Sequence, residues 1–214
     1  MAMAKRIYMV PLWVRLWHWC NAALFLTLIY SGASLHFAAL DQPALLLEFS
    51  VAREVHNTAG ITLAVLFFFY VMFTIRNREW GQYAPIMSMD FLRALIKQAK
   101  FYGVDIFTGA PHPYEPKPEA RFNPLQRITY FGVAYMGIPL MILTGLAYMF
   151  PQYAPDRILG MGGLWPLALL HYLLGLFLTV FLVMHIYMAT MGRTLTSDLR
   201  MMFTGYHEHE EHEK

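Results

Sequence analysis

The chain has 214 residues, of which 57% are hydrophobic and only 14% charged, with a formal net charge of +2. A soluble domain carries about 25% charged residues, so an ordinary soluble globule is excluded, and so is a disordered chain, which needs low hydrophobicity and high charge. The near-neutral balance gives no electrostatic footprint for nucleic acid. The one cysteine, Cys20, rules out an intramolecular disulfide framework, a four-cysteine metal site and covalent C-x-x-C-H haem attachment.

In chain order, Lys5 and Arg6 precede a first apolar run at 12–35. It starts too late and runs too long for a cleaved signal peptide, and reads as an uncleaved anchor. Further runs follow at 54–75, 124–149 and 165–191. Each is close to or above the roughly 20 apolar residues a bilayer crossing needs. Their continuous apolarity excludes β-barrel strands, which alternate. The expected fold is therefore an all-α membrane protein, a four-helix transmembrane bundle spanning 1–192.

The connection 76–123 between the second and third spans is long. Within it, residues 89–102 place Phe91, Leu92, Leu95, Ile96, Ala99 and Tyr102 on one helical face and Arg93, Lys97 and Lys100 on the other, with Ser88 or Asp90 as N-cap. That pattern predicts an amphipathic helix lying in the membrane interface. Residues 110–118 are too proline-rich for helix or sheet and read as an extended linker. The tail 193–214 ends in a His/Glu-rich stretch expected to be solvated and disordered, metal binding by His207, His209 and His212 being the weaker reading.

Fourteen of the sixteen Lys/Arg fall in the N-terminal segment, the 76–127 loop and the tail; only Arg53 and Arg157 lie in the other two connections. The positive-inside rule then predicts both termini and the long loop in the cytoplasm.

Five histidines, His18, His36, His56, His171 and His185, lie within or at the ends of the spans. Ionisable groups at membrane depth are rare and point to function. His171 and His185 are separated by ~21 Å along a helix and by only ~40° in azimuth, so one helix face carries an imidazole toward each half of the bilayer. Depth sorts the others: His18 opens the outward span and lies level with His185, while His56 opens the returning span and lies level with His171. Two imidazoles per layer suit an axially ligated haem; a structural zinc site usually takes four protein ligands. His36 competes at the outer layer, as a propionate cap or an interfacial residue. Gly32 shares the His18 face at the outer depth, where a missing side chain lets a macrocycle approach the backbone. Gly132 and Gly145 are placed to bracket the two layers on the third span.

These residues resemble a known family. Arg15-Leu-Trp-His-Trp19, His56-Asn-Thr-Ala-Gly60, Phe122-Asn-Pro-Leu-Gln-Arg127, Thr144-Gly-Leu146, and His171 with His185 and Tyr187 occur in the order seen in the di-haem cytochrome b subunits of bacterial respiratory complexes. That is the nickel–iron hydrogenase cytochrome b and formate dehydrogenase gamma superfamily, and the likeness is strongest to its thiosulfate reductase cytochrome b-like branch. The resemblance implies two b-type haems, ligated by His18/His185 and His56/His171, and a quinone (menaquinone or ubiquinone) beside the cytoplasmic-side haem. It places Asn123 at the quinone, His185 bordering it, and Gln126, Arg127 and Arg15 nearby as quinone or propionate partners. Leu125 departs from a glycine found in some relatives. The implied partner is an outer-face, periplasmic redox subunit of iron–sulfur or multihaem cytochrome type, in the bacterial inner membrane. No catalytic residue is assigned, because substrate chemistry falls to that partner.

Two other readings fit the same residues: a stand-alone transmembrane haem b reductase, and a non-redox anchor or transporter using the histidines for protons or metal. The absence of acidic residues deep in any span weighs against a proton or cation path.

Overall fold

The computed structural model describes residues 5–38, 46–114, 117, 120–192 and 194–209. Four helices in it are long and apolar enough to cross a membrane: α1 (Leu12–His36), α2 (Phe49–Arg76), α4 (Pro124–Met149) and α5 (Trp165–Ala189). Between them lies α3 (Met89–Gly103), and α6 (Ser197–Thr204) follows the last span. At 1.5 Å per residue even the shortest span reaches about 37 Å, more than a ~30 Å hydrocarbon core. The protein is an all-α membrane bundle.

The bundle is two hairpins. α1 packs along α2, α4 packs along α5, and α2 meets α4. α2 starts five residues earlier than the expected 54, because the Glu48 carboxylate accepts hydrogen bonds from the Ser50 amide and hydroxyl and caps the helix. Arg53, which marks an edge in the sequence, is carried on this added turn. The third span is not uniform: a π-helical segment, Val133–Gly137, interrupts it. Pro139 follows, and with no N–H to give to the preceding turn it removes one α-helical bond, which the wider turn accommodates, the Ile138 N–H reaching back to Val133.

The buried apolar core is small and sits at mid-height. Leu63, Val133, Ile138 and Leu178 form it, with Leu24, Phe25, Leu28 and Phe181 packed around. Elsewhere the large side chains face outward: Leu26, Phe68 and Val183 are all more than half exposed. In water such a surface is a liability; against lipid tails it is the required exterior.

One end of the bundle carries a folded cap. α3, capped by Ser88, packs on α4, and Arg121 forms an ion pair with Glu79. The tail folds back onto α1: the Arg15 guanidinium donates to the Phe203 carbonyl, and the Trp19 indole donates to the Met202 carbonyl at 3.1 Å and stacks on Phe203. Strand β4 (Tyr206–His209) pairs antiparallel with β1 (Lys5–Tyr8). This corrects the expectation of a disordered end as far as residue 209, since His207 and His209 are in a strand. His212 lies outside the described residues. A two-residue hairpin, β2 (Arg157–Ile158) with β3 (Met161–Gly162), closes the opposite end.

Candidate functional site

The bundle brings four of the five span histidines together as two pairs. The His18 and His185 rings, from α1 and α5, have centroids 6.0 Å apart. The His56 and His171 rings, from α2 and α5, are 6.3 Å apart. Between the two pairs runs the apolar core, with Leu178 seven residues from each α5 histidine. Among the described residues, no cluster of three or more His, Cys, Asp or Glu gathers that could hold a metal ion by itself.

These separations have a chemical meaning. With an imidazole nitrogen about 2.0 Å from a metal, the ring centre lies about 3.1 Å away, so two imidazoles on either side of one metal would stand about 6.2 Å apart centre to centre. Both pairs are at that spacing. A haem iron held by two axial histidines therefore fits the residues present.

The imidazoles are held from behind at Nδ1. Ser31 Oγ on α1 lies 2.9 Å from His56 Nδ1, and Thr144 Oγ1 on α4 lies 2.8 Å from His171 Nδ1. The following residues are glycines in close approach: a Cβ on Gly32 would stand 3.3 Å from His56 Cε1, and one on Gly145 would stand 3.4 Å from His171 Cε1. The other pair is held less tightly. The Tyr130 hydroxyl is 3.5 Å from His185 Nδ1, and His18 Nδ1 is buried with no hydrogen-bond partner among the described residues.

A cleft of about 640 Å³ opens between the start of α2 and the end of α4, lined by Ser50, Arg53, Glu54, Asn57, Thr58 and Tyr148 among others. Arg53 gives it a cation suited to a propionate. His36 points elsewhere and stacks on Tyr172, with ring centres 4.9 Å apart. His112, from the linker, packs on Phe101 and lies 3.5 Å from the Tyr102 hydroxyl.

The quinone candidates are engaged in local structure. Asn123 and Gln126 form a reciprocal capping box at the start of α4: Asn123 Oδ1 accepts from the Gln126 amide at 2.9 Å, and Gln126 Oε1 accepts from the Asn123 amide at 3.1 Å. Asn123 Nδ2 donates to the Tyr102 hydroxyl at 3.2 Å. Arg127 donates to the Gly81 and Ala84 carbonyls. Asn123 itself is buried, as are Gln98 and Phe101 on α3. Burial pushes the Tyr102 phenol above its ordinary range, partly offset by the Asn123 bond. Burial likewise raises the Asp198 carboxyl on α6, against the opposing pull of His207. Gln98 on α3 is fully buried, with neither amide atom in a hydrogen bond among the described residues.

Ser31, Tyr130, Gln98 and Asp198 are not singled out by the sequence. A signal for the hydroxyls exists in hindsight: Ser-Gly on the first span and Thr-Gly on the third stand 25 and 27 residues before the histidine each meets.

Comparison with known proteins identifies the family. The chain is 35% identical over 205 residues to the putative cytochrome YdhU of Escherichia coli K12, covering 96% of this chain and 76% of that protein. It is 28% identical to a probable Ni/Fe-hydrogenase B-type cytochrome subunit of Rhodobacter capsulatus, over 86% of this chain and 72% of the relative. A subunit of the same description from Rhizobium leguminosarum bv. viciae is 26% identical, over 86% and 81%. The family model described as prokaryotic cytochrome b561 matches residues 9–205, taking in all four spans, the cap and both histidine pairs. The chain belongs to the prokaryotic cytochrome b561 family and is a multi-pass membrane b-type cytochrome of electron transfer.

Proposed function

We propose that the protein is a di-haem electron-transfer subunit linking a quinone pool to a redox subunit on the opposite side of the membrane. The observation that carries this reading is the two imidazole pairs, each spaced so that one haem iron would fit between the rings. His18 and His185 would hold one haem, and His56 and His171 the other. When bound, the haems supply reversible one-electron chemistry, and the protein supplies ligation, spacing and a dry interior.

By the positive-inside bias, the cap, both termini and the His18/His185 pair would lie on the cytoplasmic side, and His56/His171 on the periplasmic side, of a bacterial inner membrane. The quinone, menaquinone or ubiquinone, would bind at the cytoplasmic end, where Asn123 and Gln126 open α4, with Arg15, held against the Phe203 carbonyl, as a further candidate. The relatives named as hydrogenase B-type cytochrome subunits support a partner that carries the substrate chemistry. An iron–sulfur or multihaem protein at the periplasmic face fits the role, next to the Arg53 cleft.

The test is quinol-driven reduction in membranes containing the full chain. A menaquinol or ubiquinol analogue is expected to reduce the b-type absorption of the wild type. Asn123→Ser, which retains an N-cap oxygen, is expected to slow that reduction at least several-fold. Haem that dithionite reduces and neither quinol does would overturn the quinone reading.

A further inference from the structure

The two hydroxyl contacts behind the His56 and His171 rings form a matched device. In each hairpin the first helix presents a hydroxyl residue followed by glycine to the histidine of the second. Ser31-Gly32 on α1 meets His56 on α2, and Thr144-Gly145 on α4 meets His171 on α5, at 2.9 and 2.8 Å. Both hydroxyl residues are buried, Ser31 completely and Thr144 to within 3%.

The direction of these bonds follows from the rest of the geometry. Ser31 Oγ has the Thr27 carbonyl at 2.7 Å, and Thr144 Oγ1 has the Leu140 carbonyl at 2.8 Å. A carbonyl only accepts, so each hydroxyl proton is committed to its own helix. What remains toward the ring is an oxygen lone pair, and Nδ1 must be the donor. That fixes the tautomer: the proton is on Nδ1, and Nε2 is left with its lone pair available to a metal. A hydrogen bond accepted from Nδ1–H also makes the imidazole a stronger electron donor at Nε2. The second pair has only the 3.5 Å approach of Tyr130 to His185 and nothing at His18 Nδ1 among the described residues.

We infer that Ser31 and Thr144 are positioning residues that lock both ligands of the His56/His171 centre in the metal-binding tautomer and hold down the reduction potential of that one haem. The inference rests on the di-haem reading above. A more basic ligand stabilises the ferric state relative to the ferrous, so removing either hydroxyl raises the potential of this haem and leaves the other where it was. Glycine after each hydroxyl is part of the same device, since it lets the neighbouring helix come close enough for the bond.

The test is a potentiometric titration of the full-length cytochrome, with haem counted per chain, in Ser31→Ala, Thr144→Val and Thr144→Ser. Thr144→Val keeps the shape and removes the hydroxyl; Thr144→Ser restores it. The expected result is two haems throughout and one midpoint shifted upward in Ser31→Ala and Thr144→Val, with Thr144→Ser at the wild-type value. Loss of one haem from Thr144→Val but not from Thr144→Ser supports the same role through ligand orientation. Two haems with both midpoints unchanged, or both shifted together, overturn the inference. Fewer than two haems in the wild type contradict the di-haem reading itself, so the two failures are distinct.

Discussion

At the scale of single residues, the close approach of helix backbone to imidazole makes a sharp demand. A Cβ on Gly32 would already press His56 Cε1 at 3.3 Å. Gly32→Val adds two further methyl carbons there, and the ring has to turn away from His171. The expected outcome is a correctly inserted chain that retains one haem of two, measured by haem quantification; full haem content in this variant would mean that His56 is not a ligand. The histidines themselves were legible in the sequence because imidazole at membrane depth is rare and the 171/185 spacing fixes both azimuth and height. Ser31 and Thr144 were not legible as partners. Hydroxyl residues in apolar helices routinely bond their own preceding turn, as both do here, and nothing local reveals which of them also meets a ring on the next helix. Asn123 and Gln126 show the converse: the family resemblance implies a ligand site there, while the structure also gives them a capping box.

Among the elements, the tail is where local and long-range signals part. A run of histidine and glutamate reads as solvated end, yet residues 206–209 pair with residues 5–8 across the whole chain length, a contact that no local pattern encodes. Gly205 makes the turn between α6 and β4 with φ +86°, and a Cβ there would lie 2.7 Å from a Tyr8 ring carbon and 2.9 Å from the Val10 carbonyl oxygen. Left-handed backbone costs a non-glycine residue roughly 1–2 kcal/mol before any clash. Gly205→Ala is therefore expected to loosen the tail, giving faster tryptic cleavage after Arg200 with the spans intact. Cleavage at the wild-type rate would show that the strand pairing does not protect the tail. Helices α4 and α5 open at Pro124 and Trp165, where proline or tryptophan marks the start, whereas α2 begins before Arg53 and Glu54, where charge marks an edge in the sequence. The π segment before Pro139 was not visible as such, because proline announces a missing bond and not the turn that absorbs it.

For the whole molecule, the asymmetry of basic residues and the position of the cap make one prediction about sidedness. Replacing Cys20 by serine leaves no cysteine, so single cysteines introduced at Ala110 and at Leu159 report the two faces separately. A membrane-impermeant thiol reagent applied to intact spheroplasts is expected to label position 159 and leave position 110 untouched; the reverse pattern would invert the topology. With the predicted orientation, electrons passing between the proposed cytoplasmic-side quinone and periplasmic partner would cross the membrane field, a coupling worth ~2.3 kcal/mol per charge per 100 mV. That arrangement depends on two redox centres stacked through the bilayer, separated by the apolar belt of Leu63, Val133, Ile138 and Leu178. The measurement that bears on it most directly is the reduced-minus-oxidised spectrum of the purified chain, with haem counted per polypeptide, for the wild type, His18→Ala and His56→Ala. The account predicts a b-type spectrum with two haems in the wild type and one in each variant, the two variants retaining different haems. A colourless chain, even when haem is supplied during expression, or a single haem lost equally in both variants, would contradict it.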